Sequence, residues 1–284
     1  MARLSGKVAF ITGAGQGQGR SHAIRLAEDG ADIIATDVCE TSIHPAMRYG
    51  QAGADDLEET RKLVEKAGGR CITAKADVRD LAALKAAVEA GIKEFGHIDT
   101  VVANAGVITF HHSSLDITEE VYDLVVDVNQ KGVWNTIQAT APSMIEAKRG
   151  GSIIITSSAA GIRGQAPYAH YAASKHAIVG MAKSFANEFG RHGIRVNTIH
   201  PTGVLTAMGT HPDAGDLVAT EPLFLMGATN ILVDLDQPIT GEFAPLPVLQ
   251  PSDVSQVVAF LASDESRYIT GVQLPVDAGN TNKP

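Results

Sequence analysis

The chain has 284 residues, an apolar share of 44% and a formal net charge of −9 at pH 7. This length suits a single domain with a substantial core, and the negative charge argues against nucleic acid or an anionic membrane as the main partner. Its two cysteines, Cys39 and Cys71, provide no framework for a secreted disulfide fold or a metal site. With no signal segment and no apolar run of membrane-spanning length, we expect a cytoplasmic protein without a bound metal.

Seven short apolar runs alternate along the chain with segments of helical periodicity. The predicted strands lie near residues 7–12, 31–37, 70–75, 98–103, 151–156, 194–199 and 272–276. The predicted helices lie near residues 18–29, 55–67, 80–95, 118–147, 168–191 and 251–262. Such alternation predicts parallel strands joined by right-handed crossovers. We therefore expect an α/β fold of the Rossmann type, with a doubly wound parallel seven-stranded sheet and helices on both faces.

The first predicted strand runs directly into a glycine-rich turn and then into a helix. The turn reads Gly13-Ala-Gly-Gln-Gly-Gln-Gly19. Glycines let the backbone turn tightly and approach a pyrophosphate, and the helix N-terminus that follows offers free N–H groups to it. A strand, a glycine turn and a helix in this order indicate a dinucleotide site. Its candidate contacts are Gly13, Gln16, Gly17, Gln18 and Gly19.

The second predicted strand ends in a carboxylate, Asp37, which is followed by Val38. A carboxylate at this point can accept hydrogen bonds from both ribose hydroxyls, and it would repel a 2′-phosphate. An NADP site would be expected to have an arginine or lysine beside the acid, where Val38 stands. The sequence therefore predicts NAD as the cofactor, although aspartate is also common at strand ends as a surface turn residue.

Tyr171 and Lys175 lie four residues apart in Tyr-Ala-Ala-Ser-Lys, and Ser158 lies thirteen residues before Tyr171. Positions i and i+4 share a helix face, so the Lys175 ammonium would lie beside the Tyr171 phenol. A fixed cation lowers the pKa of a phenol, ordinarily near ~10, toward the range of a useful proton acceptor. Ser158 could hydrogen-bond the substrate oxygen. These residues predict proton transfer at an alcohol oxygen, although Tyr-x-x-x-Lys alone is more often a solvated helix face.

Over almost its whole length the chain resembles the short-chain dehydrogenase/reductase family. The shared motifs are Thr12-Gly-x-x-x-Gly-x-Gly19, Asp77-Val78, Asn104-Ala-Gly106, Asn129, Ser158, Tyr171 with Lys175, and Pro201-x-Gly203 with Thr206. The resemblance implies the strand order 3-2-1-4-5-6-7 and a catalytic tetrad of Asn129, Ser158, Tyr171 and Lys175. Within that tetrad, Asn129 would hold a helix bend and a water that links Lys175 to solvent.

The same resemblance implies the remaining cofactor contacts. Asp77 and Val78 would contact adenine, and Asn104, Ala105 and Gly106 would line the adenosine ribose and the cofactor floor. The nicotinamide carboxamide would be held by Val204 and Thr206, which follow the motif of Pro201 and Gly203. This chain departs from the common pattern by having Ala103 before Asn104, and by inserting Thr202 after Pro201. Because of this insertion, each carboxamide contact could fall one position away from where the common pattern places it.

A narrower resemblance is to the mycofactocin-coupled, carveol dehydrogenase-like subfamily. It is carried by Gly17-Gln-Gly-Arg-Ser-His22, by an inserted segment at residues 39–55, and by the ending Tyr268-Ile-Thr-Gly-Val-Gln-Leu-Pro-Val-Asp-Ala-Gly279. The resemblance implies an NAD that is buried and does not exchange freely, with the peptide-derived carrier mycofactocin as electron acceptor. The alternative for the insert is a surface loop that only lengthens the chain.

Residues 205–250 interrupt the alternation of strands and helices and contain several prolines. A long irregular segment inside a compact domain is usually a lid or a binding loop, so we interpret it as a substrate lid. Its apolar residues would face the substrate or pack on the domain body, and they favour a hydrophobic secondary alcohol such as a terpenoid. The candidate substrate contacts are Leu223, Phe224, Leu225 and Met226 in the lid, and Ile162, Gln165 and Tyr168 outside it.

These patterns together predict an NAD-dependent oxidoreductase that interconverts a hydrophobic secondary alcohol and a ketone. Tyr171 would act as the general base, Lys175 would lower its pKa and hold the nicotinamide ribose, and Ser158 would orient the substrate oxygen. Two alternatives stay open: a dehydrogenase whose NAD exchanges freely, and a nucleotide-binding protein without catalysis. By family analogy we expect a homotetramer, in which four apolar residues serve the interface or simply the core. These residues are Val133, Ile137, Ile178 and Met181.

Overall fold

The computed structural model describes residues 2–209 and 249–282, and within them seven parallel strands form one sheet. The strands are β1 (Val8–Thr12), β2 (Asp32–Asp37), β3 (Cys71–Lys75), β4 (Thr100–Ala103), β5 (Gly151–Thr156), β6 (Ile194–Pro201) and β7 (Gln273–Val276). Their order is β3-β2-β1-β4-β5-β6-β7, and every neighbouring pair runs parallel. The predicted Rossmann-type fold and the strand order are confirmed.

Helices cover both faces of the sheet, as a sheet buried on both sides requires. They are α1 (Gly17–Glu28), α2 (Ala54–Lys66), α3 (Leu81–Phe95), α4 (Glu119–Val126), α5 (Gly132–Ala147), α6 (Ala169–Phe189) and α7 (Pro251–Ala262). The core layer on one face comes mainly from α3, α5 and α6, and the layer on the other face from α1, α2 and α7. None of the helices in the described ranges has the length and apolarity needed to cross a membrane.

The single helix predicted over residues 118–147 is interrupted. Helix α4 ends at Val126, the backbone forms a π-helical turn over Asp127–Lys131, and α5 begins at Gly132. The wider turn carries Asn129, whose side chain hydrogen-bonds the backbone of Val107 beyond β4. The interruption therefore brings an amide from the helix onto the loop that follows β4, which sequence periodicity alone did not indicate.

Four apolar residues were expected to serve either a tetramer interface or the core. Three of them belong to the core of the single chain. Val133, Ile137 and Ile178 are all at most 3% exposed and pack in the same apolar cluster. Met181 is partly buried against that cluster. Of the predicted lid at residues 205–250, only the two ends are described, so the candidates Leu223, Phe224, Leu225 and Met226 lie outside the described residues.

Candidate active site

A cleft opens along the carboxyl ends of the strands, where doubly wound sheets bind their ligands. Its free space of about 930 Å³ includes the part that is open to solvent. Twelve of the predicted site residues line it: Gly13, Gln16, Gly17, Gln18, Asp37, Val38, Asp77, Val78, Asn104, Ala105, Gly106 and Thr206. Residues from separate parts of the sequence are thus brought together in one elongated site.

The glycine turn between β1 and α1 depends on close backbone contacts. Gly13 and Gly17 have φ values of 66° and 56°, a region that glycine adopts without the strain of a Cβ atom. A Cβ on Gly19 would overlap the carbonyl oxygen of Gly13. Gly19 itself does not line the cleft, so its role is to let α1 begin directly against the turn.

The end of β4 is fastened to this turn through Thr12 and Asn104. The Thr12 hydroxyl accepts hydrogen bonds from the backbone N–H groups of Asn104 and Ala105, at 3.0 and 3.1 Å. The side-chain amide nitrogen of Asn104, Nδ2, donates in turn to the Thr12 backbone carbonyl at 3.0 Å. The floor of the cleft and the glycine turn therefore keep a fixed spacing.

Asp37 is 8% exposed at the end of β2, so it is not a surface turn residue. Its Oδ2 accepts from the Gly15 N–H at 2.9 Å, and its Oδ1 accepts from the Cys39 N–H at 3.3 Å. Burial raises the pKa of this carboxyl, and the nearby negative charge of Asp56 acts in the same direction. A Cβ on Gly15 would lie 3.0 Å from Asp37 Oδ2 and 2.6 Å from the Ala52 Cβ, so glycine is needed here.

Ser158 and Tyr171 do not line the cleft, but their side chains lie close together, and the Ser158 hydroxyl acts to lower the pKa of the Tyr171 phenol. Ser158 directly follows the loop after β5 and caps a 3₁₀ turn over Ala159–Gly161, where its hydroxyl accepts from the Ala160 N–H at 3.2 Å. Tyr171 is in the first turn of α6. A serine from the sheet edge and a tyrosine from a helix thus point their hydroxyl groups at one place.

Lys175 lies one helical turn after Tyr171 and is only 3% exposed. Its Nζ donates to the Thr156 carbonyl at 2.9 Å and lies 5.7 Å from the centre of the Tyr171 ring. The shared helix face that the spacing predicted is confirmed. Burial lowers the pKa of Lys175 to about 8.

The predicted lowering of the Tyr171 pKa is wrong for this structure. Burial raises the pKa of the Tyr171 phenol, and the hydrogen bond with Ser158 opposes that change. Lys175 does not overcome the burial, because its ammonium is directed at the Thr156 carbonyl and is itself destabilised by burial.

Asn129 lies next to Lys175 across Gly106. Its Nδ2 donates to the Val107 carbonyl at 2.8 Å and to the Ser174 hydroxyl at 3.2 Å, and its Oδ1 accepts from the Val107 N–H at 2.7 Å. A Cβ on Gly106 would lie 3.3 Å from both Asn129 Oδ1 and Lys175 Nζ. The four residues of the predicted tetrad are therefore gathered together behind Gly106, which lines the cleft, although none of the four lines the cleft itself.

The four cofactor candidates within residues 201–206, two of them predicted to hold the carboxamide, are not equivalent. Thr206 lines the cleft, with its methyl group 3.2 Å from where a Cβ on Gly17 would lie. Pro201 is buried as the last residue of β6, Gly203 is exposed, and Val204 is buried in a parallel bridge with Leu249. The structure thus brings only Thr206, of these four, to the cleft surface.

Sequence reasoning missed several lining residues: Ile43, Tyr49, Gln51, Ala52, Ala76, Arg79, Val107, Val128, Ala207 and Met208. The first four belong to the insert at residues 39–55, so this segment covers the cleft and is not merely a surface loop. The apolar and aromatic residues of the insert, Ile43, Met47 and Tyr49, are the signal that could have found this role. Neither the glycine motif nor the helix periodicity points to it.

Three contacts hold the insert across the cleft. The Gln16 side chain donates to the Gly50 carbonyl at 2.8 Å, and the Tyr49 hydroxyl accepts from the Ile108 N–H at 3.1 Å. The third contact joins His44 Nε2 to Glu120 Oε1 at 3.0 Å. The insert is therefore tied to the glycine turn, to the loop after β4 and to α4.

Among the substrate candidates outside the lid, Tyr168 is fully buried and packs edge-on against Phe110 at 6.0 Å. Phe110 packs in the same manner on Tyr49 at 6.3 Å. Ile162 and Gln165 are partly buried and do not line the cleft. An aromatic row thus runs from the insert to the start of α6, beside Tyr171.

A model of the short chain dehydrogenase family matches residues 7–215, and a model described as enoyl-(acyl carrier protein) reductase matches residues 240–281. The chain belongs to the short-chain dehydrogenase family. The first match covers the glycine turn, the tetrad and all but the last strand of the sheet.

The (−)-trans-carveol dehydrogenase of Rhodococcus erythropolis is 42% identical over 100% of both chains. A solved carveol dehydrogenase from Mycobacterium avium, in complex with NAD, has 42% identity and a TM-score of 0.89, with 100% of both chains covered. A short chain dehydrogenase from Mycobacterium paratuberculosis, bound to NAD, has 45% identity and a TM-score of 0.90 over 99% of this chain and 100% of its own. The likeness therefore extends over the whole chain, including the insert.

The buried ammonium of Lys175 predicts a pH-dependent stability. The unfolded pKa is 10.5 and the folded value about 8, so between these values the unfolded chain binds more protons and stability rises with pH. Below pH 8 the penalty is fully present, at about 3 kcal/mol. We expect Lys175→Met to be more stable than the parent at pH 7, with a difference that shrinks toward pH 10.

This difference is measured by urea unfolding of parent and variant at pH 7, 8, 9 and 10. Lys183→Met is the matched control, because Lys183 is exposed on the same helix. A difference between parent and Lys175→Met that stays constant with pH would show that Lys175 is not charged and buried as described.

Proposed function

We propose that the chain is an NAD-dependent oxidoreductase that interconverts a hydrophobic secondary alcohol and the corresponding ketone. The observation that carries the proposal is the closeness of the Ser158 and Tyr171 side chains, with Lys175 buried one turn along α6. Lys175 Nζ lies beside Gly106, which lines the same cleft as the buried carboxylate of Asp37. A nucleotide-binding protein without catalysis has no need for the first set of residues.

The residues present fit NAD. The glycine turn leaves the start of α1 open to a pyrophosphate, and Asp37 is positioned to accept from ribose hydroxyls. The cation closest in sequence to the turn, Arg20, is engaged elsewhere: it donates to the carbonyls of Gly15 and Asp56 and to the Thr60 hydroxyl. It therefore does not supply the positive charge that a 2′-phosphate would need.

In the proposed reaction the chain's own residues transfer the proton of the alcohol hydroxyl. When bound, NAD supplies the nicotinamide that accepts or returns a hydride. The Ser158 hydroxyl holds the substrate oxygen, and Tyr171 accepts the hydroxyl proton in alcohol oxidation or donates it in ketone reduction. Lys175, buried one helical turn after Tyr171, would hold the nicotinamide ribose.

The substrate class is proposed from the aromatic row and from the relatives. Tyr49 lines the cleft, and Phe110 and the fully buried Tyr168 pack behind it in one aromatic row. An apolar wall of this kind suits a ring of hydrocarbon more than a sugar or a charged acid. Two of the similar proteins are named for carveol, a cyclic terpenoid secondary alcohol. We therefore propose carveol or a related cyclic alcohol as the first substrate to test.

Retention of NAD, with mycofactocin as its reoxidant, is the finer part of the proposal. It is supported by the insert, which is tied down at Gln16, Ile108 and Glu120 and lines the cleft with Tyr49. All three contacts would have to break for the insert to swing away. The alternative is an ordinary dehydrogenase whose NAD exchanges freely. A homotetramer and a cytoplasmic location stay predictions.

Replacing Tyr49 by phenylalanine tests the role of the insert. The variant keeps the aromatic ring and loses the hydrogen bond with the Ile108 N–H, so we expect NAD release to become about tenfold faster. Nucleotide content after extensive dialysis, followed by release kinetics, measures this. Tyr122→Phe is the matched control, because Tyr122 is a half-exposed tyrosine on α4. A parent protein that is emptied of NAD by dialysis would favour the freely exchanging alternative.

Replacing Tyr171 by phenylalanine tests the proton acceptor. The rate of alcohol oxidation should fall by roughly 10²–10⁴-fold, the usual contribution of a general base, while NAD affinity stays within about twofold. Steady-state kinetics and NAD titration measure the two quantities. Tyr268→Phe, at an 86% exposed position, serves as the control. A Tyr171→Phe enzyme with most of the parent rate would contradict the proposed mechanism.

Replacing Asp37 by asparagine tests the cofactor preference. The variant removes the negative charge at nearly constant shape, so NAD affinity should fall about tenfold while repulsion of a 2′-phosphate is relieved. Dissociation constants for NAD and NADP measure the change in their ratio. Asp55→Asn is the control, because Asp55 is exposed at the start of α2. An unchanged ratio would exclude Asp37 as the ribose-binding acid.

A further inference from the structure

His200 is a fully buried histidine near the end of β6 that does not line the cleft. Its Nδ1 lies 2.7 Å from the backbone carbonyl oxygen of Ser158, and its Nε2 lies 2.8 Å from the Thr198 hydroxyl. Both ring nitrogens therefore have a partner. The imidazole bridges the sheet and the residue whose hydroxyl meets Tyr171.

The two partners determine the tautomer of this ring. A carbonyl oxygen can only accept, so Nδ1 carries the hydrogen and donates to Ser158. Nε2 is then the acceptor, and the Thr198 hydroxyl donates to it at 2.8 Å, in preference to the Val272 carbonyl at 3.3 Å. Burial lowers the pKa of His200, and the neighbouring charge of Lys175 acts in the same direction. The ring is therefore neutral, with its hydrogen on Nδ1.

The Ser158 carbonyl receives two donors, which use both of its lone pairs. The second donor is the Gly161 N–H at 2.8 Å, which closes the 3₁₀ turn that Ser158 caps. On the other side of Ser158, the Ser157 N–H donates to the Ile199 carbonyl of β6 at 2.8 Å. The His200 bond adds a connection from the Ser158 carbonyl itself to β6, an interior strand of the sheet.

We propose that His200 is a positioning residue that holds Ser158 at the place where its hydroxyl meets Tyr171. This inference rests on the proposed function, because it concerns the serine that would orient the substrate oxygen. His200 acts through the Ser158 backbone and touches neither the cleft nor the reacting hydroxyl groups. Without the bond, Ser158 gains freedom to rotate, and its hydroxyl spends less time in the productive position.

Two amide variants separate this role from simple filling of space. The amide nitrogen of asparagine falls near the position of Nδ1, so His200→Asn keeps a donor for the Ser158 carbonyl. The longer glutamine puts its amide near Nε2 and leaves the carbonyl without this donor. We expect kcat within about threefold of the parent for His200→Asn and about tenfold lower for His200→Gln. KM and NAD affinity should change by less than about twofold in both.

Ser158→Ala, measured in the same assay, separates failure of this inference from failure of the proposed function. Two results would overturn the inference and leave the proposed function intact. One is a large loss of kcat in Ser158→Ala with the kcat of His200→Gln unchanged. The other is an equal loss of kcat in both His200 amide variants. An unchanged Ser158→Ala would overturn the proposed role of the serine and the inference with it. If the His200 variants do not fold, ¹⁵N imidazole shifts of the parent decide: a hydrogen on Nε2 would overturn the inference, and a hydrogen on Nδ1 supports it.

Discussion

The buried ammonium of Lys175 is the group on which the arrangement of the site depends. Its hydrogen bond to the Thr156 carbonyl joins α6 to the end of β5, so the helix that carries Tyr171 keeps its distance from the strand that leads to Ser158. Burying a cation is unfavourable unless it is paired or hydrogen-bonded, and one backbone carbonyl compensates only in part. The burial of this charge lowers stability, and it places the charge beside Tyr171, the proposed proton acceptor; such costs are common where a site is built for catalysis.

Single hydrogen bonds of the same kind join neighbouring elements along the carboxyl edge of the sheet. Thr12 connects β1 to β4, Asn129 connects the π-helical turn to Val107, and His200 connects β6 to Ser158. Each bond joins a strand end or helix to a backbone group on a neighbouring loop. Loops that would otherwise move relative to one another are thereby fixed to a rigid sheet, which precise positioning of substrate and cofactor requires.

The insert at residues 39–55 constrains the site in a second way, because its residues line the cleft from a segment outside the sheet. Tyr49 is 6% exposed and lies between the cleft and the aromatic row of Phe110 and Tyr168. The same tyrosine therefore borders both the cofactor cleft and the proposed substrate wall. Cofactor retention and the choice of a hydrophobic substrate would then depend on one short segment.

Features set by local geometry could be predicted from the sequence. The glycine turn, the acid at the end of β2 and the shared helix face of Tyr171 and Lys175 follow from residue spacing within one or two elements. Features that depend on distant packing could not. Tyr49 meets Ile108 across 59 positions and His200 meets Ser158 across 42, and the burial that raises the pKa of Tyr171 exists only in the folded protein. The interruption of the helix at Asn129 was not indicated by periodicity, and only the family resemblance implied a bend there.

The most direct test of the central claim is a single-turnover experiment on the purified, dialysed protein. Carveol is added without any NAD, and the fluorescence of reduced nicotinamide is followed until it is constant. If NAD is retained beneath the insert as proposed, up to one equivalent of reduced cofactor per chain will form, because the retained NAD oxidises the alcohol. No reduced nicotinamide from carveol or from a panel of cyclic secondary alcohols, with or without added NAD, would contradict the assignment of this site to alcohol oxidation.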